Sequence, residues 1–153
     1  TTAQSFRTAA EMVDYGAHSA EINRVMFDTK SRARLEIERM VLDSMEFFAQ
    51  GRCALICITR KMIDKSGAEN DELEGLASLP RQVEGVCIGI TLRERRDGAY
   101  KVSLRTTDGY NASELCALFG GGGHAAAGGC TIEGPLENAK QKIVDAACAA
   151  LSK

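Results

Sequence analysis

The spacing of apolar residues changes along the chain, and each spacing predicts a different element. Up to about Phe48 the period is helical. Ser5 would cap a first helix running to Asp14, with Gly16 ending it. Ser19 would cap a second, with Glu21 in its first turn. A third and longer helix keeps Ile37, Met40, Val41, Ser44, Met45 and Phe48 on one face. Gln50-Gly51 breaks that pattern. Cys53 to Thr59 is a short continuous apolar run, which suits a buried strand. Arg60 to Leu79 reads as charged and helical, interrupted at Gly67 and ended by Pro80. Its acidic segment, Glu69 to Glu74, suits a helix start or a loop.

Strict alternation begins at Val86. Val86, Ile88, Ile90 and Leu92 alternate with less apolar residues, and so do Tyr100, Val102 and Leu104 after Asp97-Gly98. A two-residue Asp97-Gly98 turn would pair Val102 with Arg93 and mix the two faces. A three-residue loop, Arg96 to Gly98, pairs Leu92 with Val102 and Ile90 with Leu104. Because one residue of slip moves every side chain to the other face, the longer loop is expected, with Gly98 left-handed. Gly89 then stands opposite Arg105, whose guanidinium would lie over a position without a side chain. A helix over Asn111 to Phe119 follows, then Gly120 to His124, then Ala125 to Gly129. Cys130 to Ile132 suits a strand. Pro135 opens a last helix with Leu136, Ala139, Ile143, Val144, Ala147 and Leu151 as its buried stripe. The expected fold class is α/β: an N-terminal helical segment, then a small mixed β-sheet with helices packed on it.

With 153 residues, 44% hydrophobic and 26% charged, the chain can bury a sizeable core. No apolar run approaches the ~18 residues of a membrane span, so no membrane partner is expected. Net charge is -2, from 19 basic and 21 acidic residues. A protein gripping long duplex nucleic acid would be basic; a short or end-bound anionic ligand needs only a local patch. Lys30, Arg32, Arg34 and Arg39 could be such a patch or simply a solvated helix face. The six cysteines show no C-x-x-C spacing, so they read as reduced core thiols of a cytoplasmic protein. Thr1-Thr2-Ala3-Gln4 is no charged-then-apolar leader, and its lack of Met suggests an expressed fragment.

Consecutive glycines are costly, because glycine loses the most backbone entropy on folding. Such a run is kept where the chain turns tightly or touches a ligand, and its amides can cup an anion. His124 adjoins the run and could donate to a phosphate oxygen. A Walker A loop would end in Gly-Lys-Ser/Thr, not Gly-His-Ala. A dinucleotide fingerprint follows a strand, whereas this run follows a helix. His18, the other histidine, reads as a surface loop residue.

Phe119-Gly120-Gly121-Gly122-Gly123-His124-Ala125-Ala126-Ala127-Gly128-Gly129-Cys130 closely resembles the signature of the DHH-associated C-terminal domain. That domain accompanies the catalytic domain of RecJ-like exonucleases, oligoribonucleases, pAp phosphatases and cyclic-dinucleotide phosphodiesterases. Val102-Ser103-Leu104-Arg105 resembles the strand that carries the family's substrate-contacting arginine. Glu133 to Glu137 is similar to the opening of its last helix, and Ala9 to Asn23 to the helical segment after the catalytic domain. The resemblance implies residues 1–49 as a helical linker and 50–153 as the substrate-binding domain. It places substrate contacts on Arg105, Gly121, Gly122, Gly123 and His124, with short single-stranded RNA or nucleotide phosphates as ligands. It also implies Mn²⁺ (or Mg²⁺) in a catalytic domain upstream, which would be the chief partner. This chain has no Asp-His-His run, so no catalytic or metal residues are assigned in it and no hydrolysis is expected from it alone. Ala125 and Ala126 follow the motif histidine where many relatives carry a basic residue, which removes one phosphate contact. Alternatives are an RNA-binding module like the end of alanyl-tRNA synthetases, or a regulatory or homodimerising domain.

Overall fold

A computed structural model describes residues 1–152. The chain divides into two compact units, Thr1–Arg32 and Ala33–Lys153. In the first, α1 spans Ala3–Asp14, and its cap is Thr2 rather than Ser5. Ser5 instead completes a capping box, its amide donating to the Thr2 hydroxyl at 3.2 Å. α2 spans Ser19–Asn23; its cap position is taken by His18, so Ser19 is the first helical residue and no side chain caps it.

From Ala33 on, the second unit begins with the rest of α3 (Arg32–Asp43), which stops well short of Phe48. Glu46–Phe48 leaves the helical pattern to form an edge strand, β1, against β2 (Cys53–Ile58). Pairing with a fully buried strand outweighs a helical face that has run out of core to cover. α4 spans only Arg60–Ser66, ended by Gly67. The rest of the expected helix is three short 3-10 turns at Asp71–Leu73, Leu76–Ser78 and Pro80–Gln82, so Pro80 begins a turn rather than ending a helix. Two of the basic residues of α3 are engaged: Arg39 pairs with Glu36 and Asp43, both at 2.8 Å. Arg34 pairs with Glu38 and binds the carbonyls of Glu72 and Glu74, tying the acidic segment down.

β3 (Ile88–Glu94) and β4 (Tyr100–Thr106) pair antiparallel with Leu92 opposite Val102, Ile90 opposite Leu104 and Gly89 opposite Arg105. The loop is Arg96 to Gly98, with Gly98 at φ 83°. After α5 (Ala112–Ala117) come β5 (Gly122–His124) and β6 (Ala127–Ile132), then α6 (Leu136–Leu151). β6 thus begins three residues earlier than its apolar residues indicate. The sheet is six-stranded and mixed, in the order β1-β2-β3-β4-β6-β5, with β2 and β3 parallel.

One face of the sheet is closed. Ile88, Ile90, Leu92, Val102, Leu104, Cys130 and Ile132 pack there under α5 and the buried stripe of α6. The other face is covered only in part. Ile56 and Ile58 of β2 meet Ile37 and Val41 of α3, Ile63 of α4 and Leu76. The 3-10 turns extend this cover over β3, where the Thr91 hydroxyl donates to the Ala77 carbonyl at 3.3 Å. Gly89 is glycine for this reason: an added Cβ would sit 2.7 Å from the Arg81 amide nitrogen. The space above Gly89 therefore holds Arg81 backbone and not the Arg105 guanidinium. The turn at Leu76–Ser78 also reaches β4, and over β6 and β5 the cover ends.

Candidate functional site

Strand register decides which side chains meet on the uncovered face, because residues directly opposite in neighbouring strands project the same way. Arg105 of β4 stands opposite Ala127 of β6, and Ala127 stands opposite His124 of β5. Arg105 and His124 therefore share a face, separated by one small residue and about two strand spacings, roughly 10 Å. The next row is smaller still: Ser103, Gly129 and Gly122. It makes a low floor beside the Arg105–His124 pair. Arg105 is half-buried and donates to the Leu104 carbonyl at 3.0 Å, while His124 is exposed. Among the described residues, neither has an acidic partner in an ion pair. An unneutralised guanidinium and an imidazole flanking a low floor suit an anion.

The glycine run is not the concave bend expected of it. Gly122 to His124 is extended and forms the edge of the sheet. The chain then reverses through Ala125-Ala126 into β6. Two of the glycines are demanded by packing. An added Cβ would fall 2.2 Å from the Gly129 carbonyl at Gly121, and 2.4 Å from the Ala127 carbonyl at Gly123. Gly128 packs against α5, where an added Cβ would meet the Ala112 carbonyl at 2.6 Å. Gly122 differs: nothing lies within 4 Å of an added Cβ. Its missing side chain leaves open space on the face that carries His124.

Thr106 holds this hairpin in place, and its role is not visible in the alternation of β4. Its hydroxyl lies 2.8 Å from the Ala125 carbonyl and 3.1 Å from that of Tyr110, and its amide donates to the Ala126 carbonyl at 3.1 Å. The Ala112 amide, at the start of α5, donates to Ala125 at 2.7 Å. The turn after His124 is thus bound to β4 and α5. The only sequence signal was a hydroxyl at a core-facing strand position beside Arg105. Lys101 and Ser103 were also missed, although period-two spacing from Arg105 puts both on its face.

Among the described residues no three His, Cys, Asp or Glu side chains converge as metal ligands. The donor set does not fit a two-metal centre, which needs several carboxylates and imidazoles together. No helix is long and apolar enough to cross a membrane, among the described residues.

A mixed sheet ending in a glycine-histidine hairpin, with an arginine on the same face, defines a class. Residues 53–153 match the model of the DHHA1 domain, and the chain belongs to that family, the C-terminal domain of DHH phosphoesterases. Over 148 residues it is 34% identical to the bifunctional oligoribonuclease and PAP phosphatase NrnA of Thermus thermophilus, a match covering 95% of this chain and 43% of that protein. An exopolyphosphatase-related protein from Bacteroides fragilis superposes with a TM-score of 0.85 at 26% identity, covering 100% of this chain and 46% of the other. The pGpG-specific phosphodiesterase PggH of Vibrio cholerae shares the fold, with a TM-score of 0.51 at 18% identity over 78% of this chain and 39% of its own. The chain spans less than half the length of each of these relatives.

Proposed function

We propose that this chain is the substrate-binding part of a metal-dependent phosphoesterase acting on short RNA or pAp-like nucleotides. Arg105 and His124 hold a phosphate of the terminal nucleotide from either side of Ala127. Gly122 leaves room for the ligand, while Gly121 and Gly123 let the hairpin pack closely enough to present His124. The observation that carries the reading is the shared row of Arg105, Ala127 and His124 on the uncovered face. The names of the relatives, which act on oligoribonucleotides, PAP or pGpG, support the ligand class. Hydrolysis falls to Mn²⁺ or Mg²⁺ ions held by a catalytic domain of the same parent protein, facing this surface in the cytoplasm. Two such metals activate water and stabilise the leaving oxygen.

Isothermal calorimetry with pAp tests this. The wild-type chain binds, and Arg105→Ala and His124→Ala each weaken binding by roughly tenfold, the scale of one charge-assisted hydrogen bond. Equal affinities in all three proteins would remove both residues from the site. With Mn²⁺ added, this chain alone leaves pAp intact, as judged by phosphate release.

A further inference from the structure

The uncovered face carries more positive charge than one phosphate requires. Arg93 stands opposite Lys101, and Lys101 opposite Thr131, so these side chains share the face of Arg105 and His124. Arg95 continues the alternation of β3 onto that face, and Arg96 follows in the hairpin loop. Two surface depressions adjoin here, sharing Arg95 and Lys101. One, about 620 Å³, includes Gly121, Gly129 and Thr131; the other, about 500 Å³, includes Arg93 and Arg96. The nearby carboxylates are Glu94, which accepts from the Arg60 amide at 2.8 Å, Asp97, which pairs with Arg95 at 2.9 Å, and Asp64, Glu69 and Asp71, which line a neighbouring depression with Arg96. Arg93 is steadied by the Asn70 side chain at 2.8 Å. Lys101 and Arg96 have no acidic partner among the described residues. Positive charge thus collects at one end of this face in a chain of net charge -2.

Between this patch and Arg105 lies the floor of Ser103, Gly129 and Gly122. Lys101 is four residues from Arg105 along β4, about 13 Å at the rise of an extended strand. A single phosphate cannot touch both, but a single-stranded oligonucleotide can. We infer that the face is a track for such an oligonucleotide. The terminal phosphate sits at Arg105 and His124, the strand crosses the floor, and a later phosphate is met by Lys101 and Arg96. This rests on the function proposed above and extends it from a terminal nucleotide to the chain that follows it.

The test compares adenosine 5′-monophosphate with a 5′-phosphorylated pentanucleotide, on the wild-type chain and on a Lys101→Gln/Arg96→Gln double variant. Both residues are exposed, and a thermal melt confirms folding. The wild type should prefer the pentanucleotide by roughly tenfold or more. The double variant should lose that preference and keep its mononucleotide affinity. For the pentanucleotide, the slope of log affinity against log salt should fall by about 0.7, the value for one phosphate no longer neutralised on a single strand. Equal wild-type affinity for the two ligands, no binding of either, or a variant that keeps the preference overturns the track. Arg105→Ala and His124→Ala separate the two ideas. If both bind the mononucleotide as wild type does, the terminal site fails, and a preference still lost in the double variant leaves the track standing.

Discussion

Gly122 and Gly123 are neighbours of identical chemistry under different constraints. Gly123 has φ 144° and an Ala127 carbonyl 2.4 Å from where a Cβ would be. Gly123→Ala should therefore destabilise the chain by about 2 kcal/mol or more, read as a lowered Tm. Gly122→Ala should shift stability by no more than about 0.5 kcal/mol and yet weaken pAp binding. Equal Tm losses in the two variants would contradict this division. The cysteines give a second contrast at this scale. Burial pushes the Cys53 thiol up to about 12 and Cys57 up to about 11, from an ordinary 9.0. Cys87 and Cys148 are only half-buried. Iodoacetamide at pH 8, followed by mass spectrometry, should label Cys87 and Cys148 well before Cys53 and Cys57. Because folding raises both buried pKa values, their contribution to stability is intact below pH 9 and is lost as pH rises through about 11 to 12. The Tm should fall across that window, and a Cys53→Ala/Cys57→Ala variant should fall less.

Elements form where local signals and packing agree. The β3–β4 register follows from alternation and one left-handed glycine, because a one-residue slip would turn Arg93 or Lys101 and Arg105 toward the core under α6. α5 is short, and its start depends on Asn111, whose side-chain oxygen accepts from the amides of Ser113 and Glu114. Asn111→Ala should cost about 1 kcal/mol in a denaturant titration. The loss should also loosen the hairpin that Ala112 holds through Ala125, seen as faster amide exchange in residues 122–129. Where the local signal and packing disagree, packing prevails. Met45 and Phe48 extend the helical face of α3, yet the chain from Glu46 pairs with β2. Leu73 and Leu76 fill the core without helix, because three tight turns follow the sheet more closely than one straight rod.

For the whole molecule, the incomplete second layer matters most. α3, α4 and the 3-10 turns cover β2 and β3, reach β4 only through Leu76–Ser78, and leave the polar side of β6 and β5 open. Gly89 sits at that border, where the Arg81 backbone rests on the sheet. Gly89→Val would lift this layer, so both stability and pAp binding should drop together. Binding that survives a large Tm loss would mean that the layer does not shape the site.

Much of this was legible in the chain itself. Periodicity determined the class of fold, the β3–β4 register, the stripe of α6 and the side of β4 on which Arg105 lies. The glycine-histidine run marked the segment, but as a bend and not as the edge strand it forms. These features depend on neighbours near in sequence, so one chain suffices to read them. Tertiary structure alone decided that β6 inserts between β4 and β5, which brings Arg105 and His124 into one row. It also decided that Arg81 rather than Arg105 fills the space above Gly89, and that Thr106 clamps the turn. Each of these depends on strands far apart in sequence becoming neighbours, and pairing order leaves no periodic trace.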